Sequence, residues 1–129
     1  MITGVGVDII ELVRIEGALK RWGNRFLSRV FTEREISYCQ RRKDPVPSLA
    51  GRFAAKEAVG KALGLGTGRQ IGWKEVEITN DPRGKPEVHL TGRAAAIAGG
   101  VKILISISHS RDAAVAFAIA GEDGNSSHK

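Results

Sequence analysis

Two alanine stripes most constrain what this chain can fold into. Ala114, Ala116, Ala118 and Ala120 alternate with Val115, Phe117 and Ile119. A strand there puts only methyl groups on one face and larger apolar side chains on the other. Ala50, Ala54 and Ala58 recur every fourth residue within Leu49 to Leu63, which aligns them along one face of a helix. Small side chains on both elements predict a long helix packed closely on that strand. Both faces of the strand read as buried.

The remaining segments supply the other layers. Ile2 to Ile10 reads as a strand rich in β-branched residues, with Gly4 and Gly6 inside it; glycine in a strand often marks close backbone approach. After Glu11 the period changes. Ile15, Leu19, Trp22 and Phe26 form the apolar stripe of an amphipathic helix, which Gly23 breaks near its end. Arg14, Arg21 and Arg25 recur one residue behind that stripe. Thr32 and Glu35 have capping-box spacing and start a short helix to about Gln40. Arg41-Arg42-Lys43 and then Asp44-Pro45-Val46-Pro47 mark a turn, after which Ser48 is the expected N-cap of the long helix Leu49 to Leu63. Gly64-Leu65-Gly66-Thr67-Gly68 ends that helix in a flexible loop.

Trp73 to Thr79 alternates as a half-exposed strand, with Val76 and Ile78 inward and Glu75, Glu77 and Thr79 outward. Asp81-Pro82-Arg83-Gly84 is a turn, Glu87 to Leu90 a short strand, and Thr91 caps a helix ending at Gly99-Gly100. Lys102 to Ser108 and Ala113 to Ala120 form a hairpin across Ser110-Arg111-Asp112. This order predicts one α+β domain over residues 1–120, a mainly antiparallel sheet packed on one long helix. A polar tail, 121–129, is expected to be disordered.

Net charge is +6, with a sequence pI near 9.9. Such a surface favours nucleic acid, a phosphate-rich ligand or an acidic protein. Aromatic residues are only 5% of the chain and no RNA-binding aromatic motif occurs, which counts against nucleic acid. Cys39 is the single cysteine and reads as a buried or inert thiol. The first residues lack a basic region, and Asp8 and Glu11 interrupt their apolar run, which argues against a signal peptide. No apolar stretch approaches the ~20 residues of a membrane span. A soluble cytoplasmic protein is expected.

Three features could carry chemistry. Asp8 stands between Val7 and Ile9 in an apolar strand, and an unpaired buried carboxylate is costly. A cation, hydrogen bonds or exposure on an edge strand must compensate it. Lys56, Glu57 and Lys61 lie on the long helix. Phe53, Glu57 and Lys61 share one face, and Arg52 and Lys56 an adjacent one. Spacing alone favours a surface pair between Glu57 and Lys61, but charges on a central alanine-rich helix need a reason. Asp8 and Glu57 are hard oxygen ligands suited to Mg²⁺ with water and substrate phosphates, and Lys61 and Arg52 would complement phosphate oxygens. The third feature is Ser106-Ile107-Ser108-His109-Ser110. Neighbouring strand residues point to opposite faces, so a polar ligand-binding edge or a structural histidine suits it better than a hydrolase triad. His89, His109 and His128 lack metal-site spacing, and no Walker pattern occurs.

Together these motifs resemble the holo-[acyl-carrier-protein] synthase group of the 4′-phosphopantetheinyl transferase superfamily. The resemblance runs from about Ile2 to Ala120. It is carried by Gly6-Val7-Asp8-Ile9-Ile10-Glu11, Phe53-Ala54-Ala55-Lys56-Glu57-Ala58 with Lys61-Ala62, Gly84-Lys85-Pro86, and Ser106 to Ser110. It implies transfer of 4′-phosphopantetheine from coenzyme A to a serine of acidic apo-acyl carrier protein, with release of 3′,5′-ADP, in fatty acid biosynthesis. Asp8 and Glu57 would ligate Mg²⁺, or Mn²⁺ in its place, and Lys61 would contact phosphate or assist proton transfer. Arg52, Gly84, Lys85, Pro86 and His109 would hold the nucleotide. Arg14, Arg21 and Arg25 would dock the carrier protein. The resemblance also implies a homotrimer with coenzyme A between subunits. A water rather than Glu57 is favoured as the base, because a carboxylate bound to Mg²⁺ is a poor one. The Leu63-Gly64-Leu65-Gly66-Thr67-Gly68 segment is longer than the family pattern.

Two other functions fit the charge. A basic nucleic-acid module would bind with strong salt dependence and without metal. A Mg²⁺-dependent phosphodiester hydrolase would release phosphate with water alone. Reversing Arg14 and Arg21 to glutamate separates these readings, since it should damage carrier modification but barely affect hydrolysis of a small ester.

Overall fold

A computed structural model describes residues 1–122. Strand β1 (Ile2–Glu11) is followed by helices α1 (Leu12–Trp22), α2 (Asn24–Val30), α3 (Glu33–Gln40) and α4 (Val46–Leu63). A 3₁₀ turn at Trp73–Glu75 leads into β2 (Val76–Asn80) and β3 (Pro86–Leu90); α5 (Gly92–Ala98), β4 (Val101–His109) and β5 (Ala113–Glu122) complete the chain. β1, β5 and β4 form one antiparallel sheet in that order, and β2 and β3 a second, two-stranded one. The predicted α+β architecture is therefore present, divided into two sheets.

The two alanine stripes meet as expected. Ala114, Ala116, Ala118 and Ala120 are buried, as are Ala50, Ala54 and Ala58 on α4. The approach is closest at β1. A Cβ added at Gly4 would lie 2.0 Å from the Ala62 carbonyl oxygen, and one at Gly6 only 2.1 Å from that of Ala58. No side chain fits there, which is why the strand carries glycine. The opposite face of β5 departs from expectation: Phe117 is 43% exposed. Across the register it sits between Val7 and Ser106. Val5, Val7, Ile9 and Leu104 are exposed on the same face, because no element among the described residues covers it.

Several boundaries move for local reasons. Gly23, at φ 54°, splits the expected single helix into α1 and α2; Ile15 is buried, whereas Trp22, the last residue of α1, is 51% exposed. α4 begins at Val46, not after Ser48, since Pro47 is tolerated in a first turn where its missing N–H has no helical partner. Asp44 Oδ1 accepts from the Val46 amide instead, at 3.1 Å. The Thr32–Glu35 capping box forms as read. Thr91 makes no side-chain cap; Glu75 Oε1 accepts from the Ala94 amide at 2.8 Å and caps α5. Glu75 is itself in the 3₁₀ turn, so the alternating strand starts only at Val76.

The 64–68 loop, expected to be flexible, is tied down. Thr67 is buried and donates to the Lys56 carbonyl at 2.8 Å, while the Gly66 amide donates to Gln70 Oε1 at 2.7 Å. Gly121 and Glu122, placed in the tail by sequence, continue β5. The rest of that tail lies outside the described residues.

Candidate functional site

α4 crosses the three-stranded sheet, and its two ends build two clusters. Its C-terminal half lies over β1, where Ala58 and Ala62 meet Gly6 and Gly4; its N-terminal half lies over β4, where Gly51 meets Ile107 and His109.

The first cluster is Asp8, Glu57 and Lys61. The period of β1 turns Asp8 to the same face as Gly4 and Gly6, toward α4. Lys61 does not pair with Glu57, as helix spacing suggested. Its Nζ crosses to β1, donating to Asp8 Oδ1 at 3.2 Å and to the Val7 carbonyl at 2.9 Å. Asp8 is thus neither unpaired nor simply facing water. Burial pushes the Glu57 carboxyl above the usual range, the nearby Asp8 charge pushes it further, and Lys61 partly opposes both. Two carboxylates close enough to influence each other, with the Lys61 ammonium bound to one of them, favour a further cation. Among the described residues no group of three or more His, Cys, Asp or Glu side chains gathers. Mg²⁺ fits such a pair, since it takes one or two carboxylates and completes its shell with water and phosphate.

The second cluster surrounds an open pocket of about 380 Å³ lined in part by Arg52, Gly84, Pro86, Ile107 and His109. Four of the five residues assigned to the nucleotide thus meet. Lys85 is exposed beside them and is not part of the lining. Arg52 is 4% exposed, with Tyr38 stacked 4.3 Å from its guanidinium carbon. It donates to Ser48 Oγ at 3.2 Å and to Asn80 Oδ1 at 2.5 Å, and its Nε has no partner. Asn80 also donates to the Gly84 carbonyl at 3.0 Å, joining the helix to the β2–β3 turn. His109 Nε2 carries a proton, because it donates to the Pro47 carbonyl at 2.9 Å.

The sequence reading missed Asn80, Tyr38 and Glu35. Asn80, just before the Asp-Pro turn, gave a weak turn signal. Glu35 was legible only as a cap. Its Oε1 accepts from the Thr32 amide and from Lys56 Nζ, each at 2.9 Å, and its Oε2 accepts from the Ile78 amide at 2.7 Å. Lys56 is fully buried and also donates to the carbonyls of Trp73 and Val76. Burial lowers its pKa against the pull of Glu35. Lys56 is therefore a core strut rather than a phosphate ligand. Cys39 is buried beside Ser48, and burial raises its thiol pKa, as an inert role requires. Ser106 and Ser108 are exposed on the sheet face away from α4.

Arg14, Arg21 and Arg25 are all exposed on α1 and α2, and α1 begins four residues after Asp8. Arg25 falls beyond the Gly23 break, on the second helix.

Residues 4–118 match the model of the 4′-phosphopantetheinyl transferase superfamily. The chain is 52% identical over 119 residues to a holo-[acyl-carrier-protein] synthase of Protochlamydia amoebophila, covering 92% of this chain and 98% of the relative. It is 49% identical over 116 residues to one of Chlorobium limicola, covering 89% and 90%. Among solved structures it resembles the Bacillus anthracis synthase in complex with CoA (3′,5′-ADP), at TM-score 0.81 and 38% identity over 95% of this chain and 99% of that one. The Helicobacter pylori synthase in complex with coenzyme A matches at TM-score 0.81 and 32% identity, covering 91% and 99%. Sequence and fold agree: this chain belongs to the 4′-phosphopantetheinyl transferase superfamily.

Proposed function

We infer that the chain is a holo-[acyl-carrier-protein] synthase, transferring 4′-phosphopantetheine from coenzyme A to a serine of apo-acyl carrier protein and releasing 3′,5′-ADP, in fatty acid biosynthesis. The observation that carries this reading is the β1–α4 contact, where Lys61, one turn beyond Glu57 on α4, holds Asp8 of β1 at 3.2 Å and the Asp8 charge helps raise the Glu57 pKa. Asp8 and Glu57 would hold Mg²⁺, with Mn²⁺ as a substitute. Held by these two carboxylates, such an ion would supply neutralisation of diphosphate charge for phosphoryl transfer. Lys61 would give up Asp8 for a phosphate oxygen, which its half-exposed side chain can reach. Arg52, Gly84, Pro86 and His109, with Lys85 at the rim, would hold the nucleotide. The exposed Arg14, Arg21 and Arg25 would receive an acidic carrier protein and speed its encounter.

The two clusters lie at opposite ends of the α4 crossing. A site assembled between subunits, with the nucleotide pocket of one chain beside the acidic pair of another, removes that separation. The exposed apolar face of the β1–β5–β4 sheet is a surface of the kind that assembly covers. A homotrimer accommodates both features. Among the described residues no helix is long and apolar enough to cross a membrane, and a cytoplasmic location fits the carrier chemistry.

Mass spectrometry tests the reaction. Apo-acyl carrier protein incubated with enzyme, coenzyme A and Mg²⁺ should gain ~340 Da, the mass of the transferred phosphopantetheine. Asp8→Ala should fold normally yet lose on the order of a thousandfold in kcat/KM, the scale of lost charge stabilisation. A carrier whose mass stays unchanged with wild-type enzyme would refute the assignment.

A further inference from the structure

Trp22 ends α1 with half of its surface exposed, although a tryptophan gains most by burial. Gly23, at φ 54°, turns the chain immediately after it and leaves the indole at the corner between α1 and α2. The guanidinium carbons of Arg21 and Arg25 lie 5.7 and 5.9 Å from its ring centroid, within cation–π range. One residue from each helix is thereby drawn onto the same ring. Around this corner the two helices expose Arg14, Lys20, Arg21, Arg25 and Arg29 against a single carboxylate, Glu16.

We propose that Trp22 is the apolar anchor of the carrier-protein surface and selects carriers whose acidic docking helix also presents an exposed apolar side chain. The proposal rests on the carrier-transfer reading above. Charge complementarity names an acidic partner. The exposed indole names its second property, because an aromatic flanked by arginine is the composition of an interface hot spot. The ring also holds both guanidinium groups near their working positions, which lowers the ordering cost of docking. The two contributions respond differently to salt. Exposed arginines act mainly on encounter and are screened, whereas an apolar contact is not.

The test uses the full chain with Mg²⁺, coenzyme A and an apo-acyl carrier protein, assayed at low salt and at about 0.5 M, where screening acts within a few ångströms. Trp22→Ala should raise the carrier KM roughly tenfold at both salts, with coenzyme A affinity at the wild-type value. Arg21→Ala should raise it at low salt and converge on wild type at high salt. Trp22→Phe should recover most of the loss. As a measurement independent of the alanine variant, carrier binding should shift wild-type tryptophan emission to the blue, and Trp22→Phe should abolish that shift even though Trp73 remains. A carrier KM for Trp22→Ala within about twofold of wild type at both salts, or a blue shift retained in Trp22→Phe, overturns the proposal and leaves the transfer reading standing. Failure of the wild type to modify any carrier removes the transfer reading itself.

Discussion

Glu57 bears two penalties, partial burial and the neighbouring charge of Asp8, and both raise its pKa. Its folded-state pKa thus exceeds that of the unfolded chain. In metal-free protein the resulting stability is fully present below the unfolded value and is lost as pH rises through the folded one. Glu57→Gln has no charge to desolvate. It should raise Tm at neutral pH relative to metal-free wild type, with a gap that narrows toward pH 4, while abolishing the Mg²⁺ dependence of coenzyme A binding. Calorimetry across pH together with a coenzyme A titration checks both halves. Glu35 is the opposite case, a buried carboxylate satisfied by Lys56 and two amides. Glu35→Ala strands a buried ammonium and should cost ~3–5 kcal/mol in urea unfolding. Residue type alone could not separate these two acids. Thr32-x-x-Glu35 identified a cap, because capping is local in sequence. That the same carboxylate neutralises Lys56, and that Asp8 faces Glu57, depends on contacts spanning long stretches of chain, which no local pattern encodes. Ligand chemistry could suggest Asp8 and Glu57 as partners in advance, but not that the fold brings them together.

The elements were more legible than their ends. Alternation, β-branched content and turn residues located the strands, and an apolar stripe located α1, since burial of one face is what periodicity records; α4, buried on most sides, was read from its alanine spacing and its end signals. Boundaries moved where a single residue outweighed the pattern: Pro47 entered the first turn of α4, Gly23 cut one helix into two, and Glu75 left the strand to cap α5. The contact of β1 with α4 is the element-level feature on which the acidic pair depends. Gly6→Ala would place a methyl group 2.1 Å from the Ala58 carbonyl oxygen, so strand and helix must separate. The expected cost is ~1–3 kcal/mol, read by denaturant unfolding. On the proposed metal site, a larger fractional loss of transfer activity should accompany it, because the displacement moves Asp8 away from α4, which carries Glu57 and Lys61.

For the whole molecule, the sheet face bearing Val5, Val7, Ile9, Leu104 and Phe117 is the main surface at odds with a free monomer. The strand alternation was read correctly, but not what covers its larger side chains; both faces of β5 looked like core, and the described residues cover only one. On the proposed trimer, Phe117→Arg should yield monomers by light scattering and weaken coenzyme A binding in parallel, if nucleotide and acids come from different subunits. Monomers that bind coenzyme A at full strength would place the complete site within one chain. The seam beneath α4 has a further consequence. Where Gly4 and Gly6 of β1 meet Ala62 and Ala58, it is made of glycine hydrogens and backbone carbonyls in direct contact, which leaves the helix no room to roll toward the strand there. The two acids are therefore clamped at a fixed gauge, like jaws without a screw. Any accommodation of differently sized substrates must come from the surrounding turns, and catalytic competence should vanish on heating only when the whole domain melts.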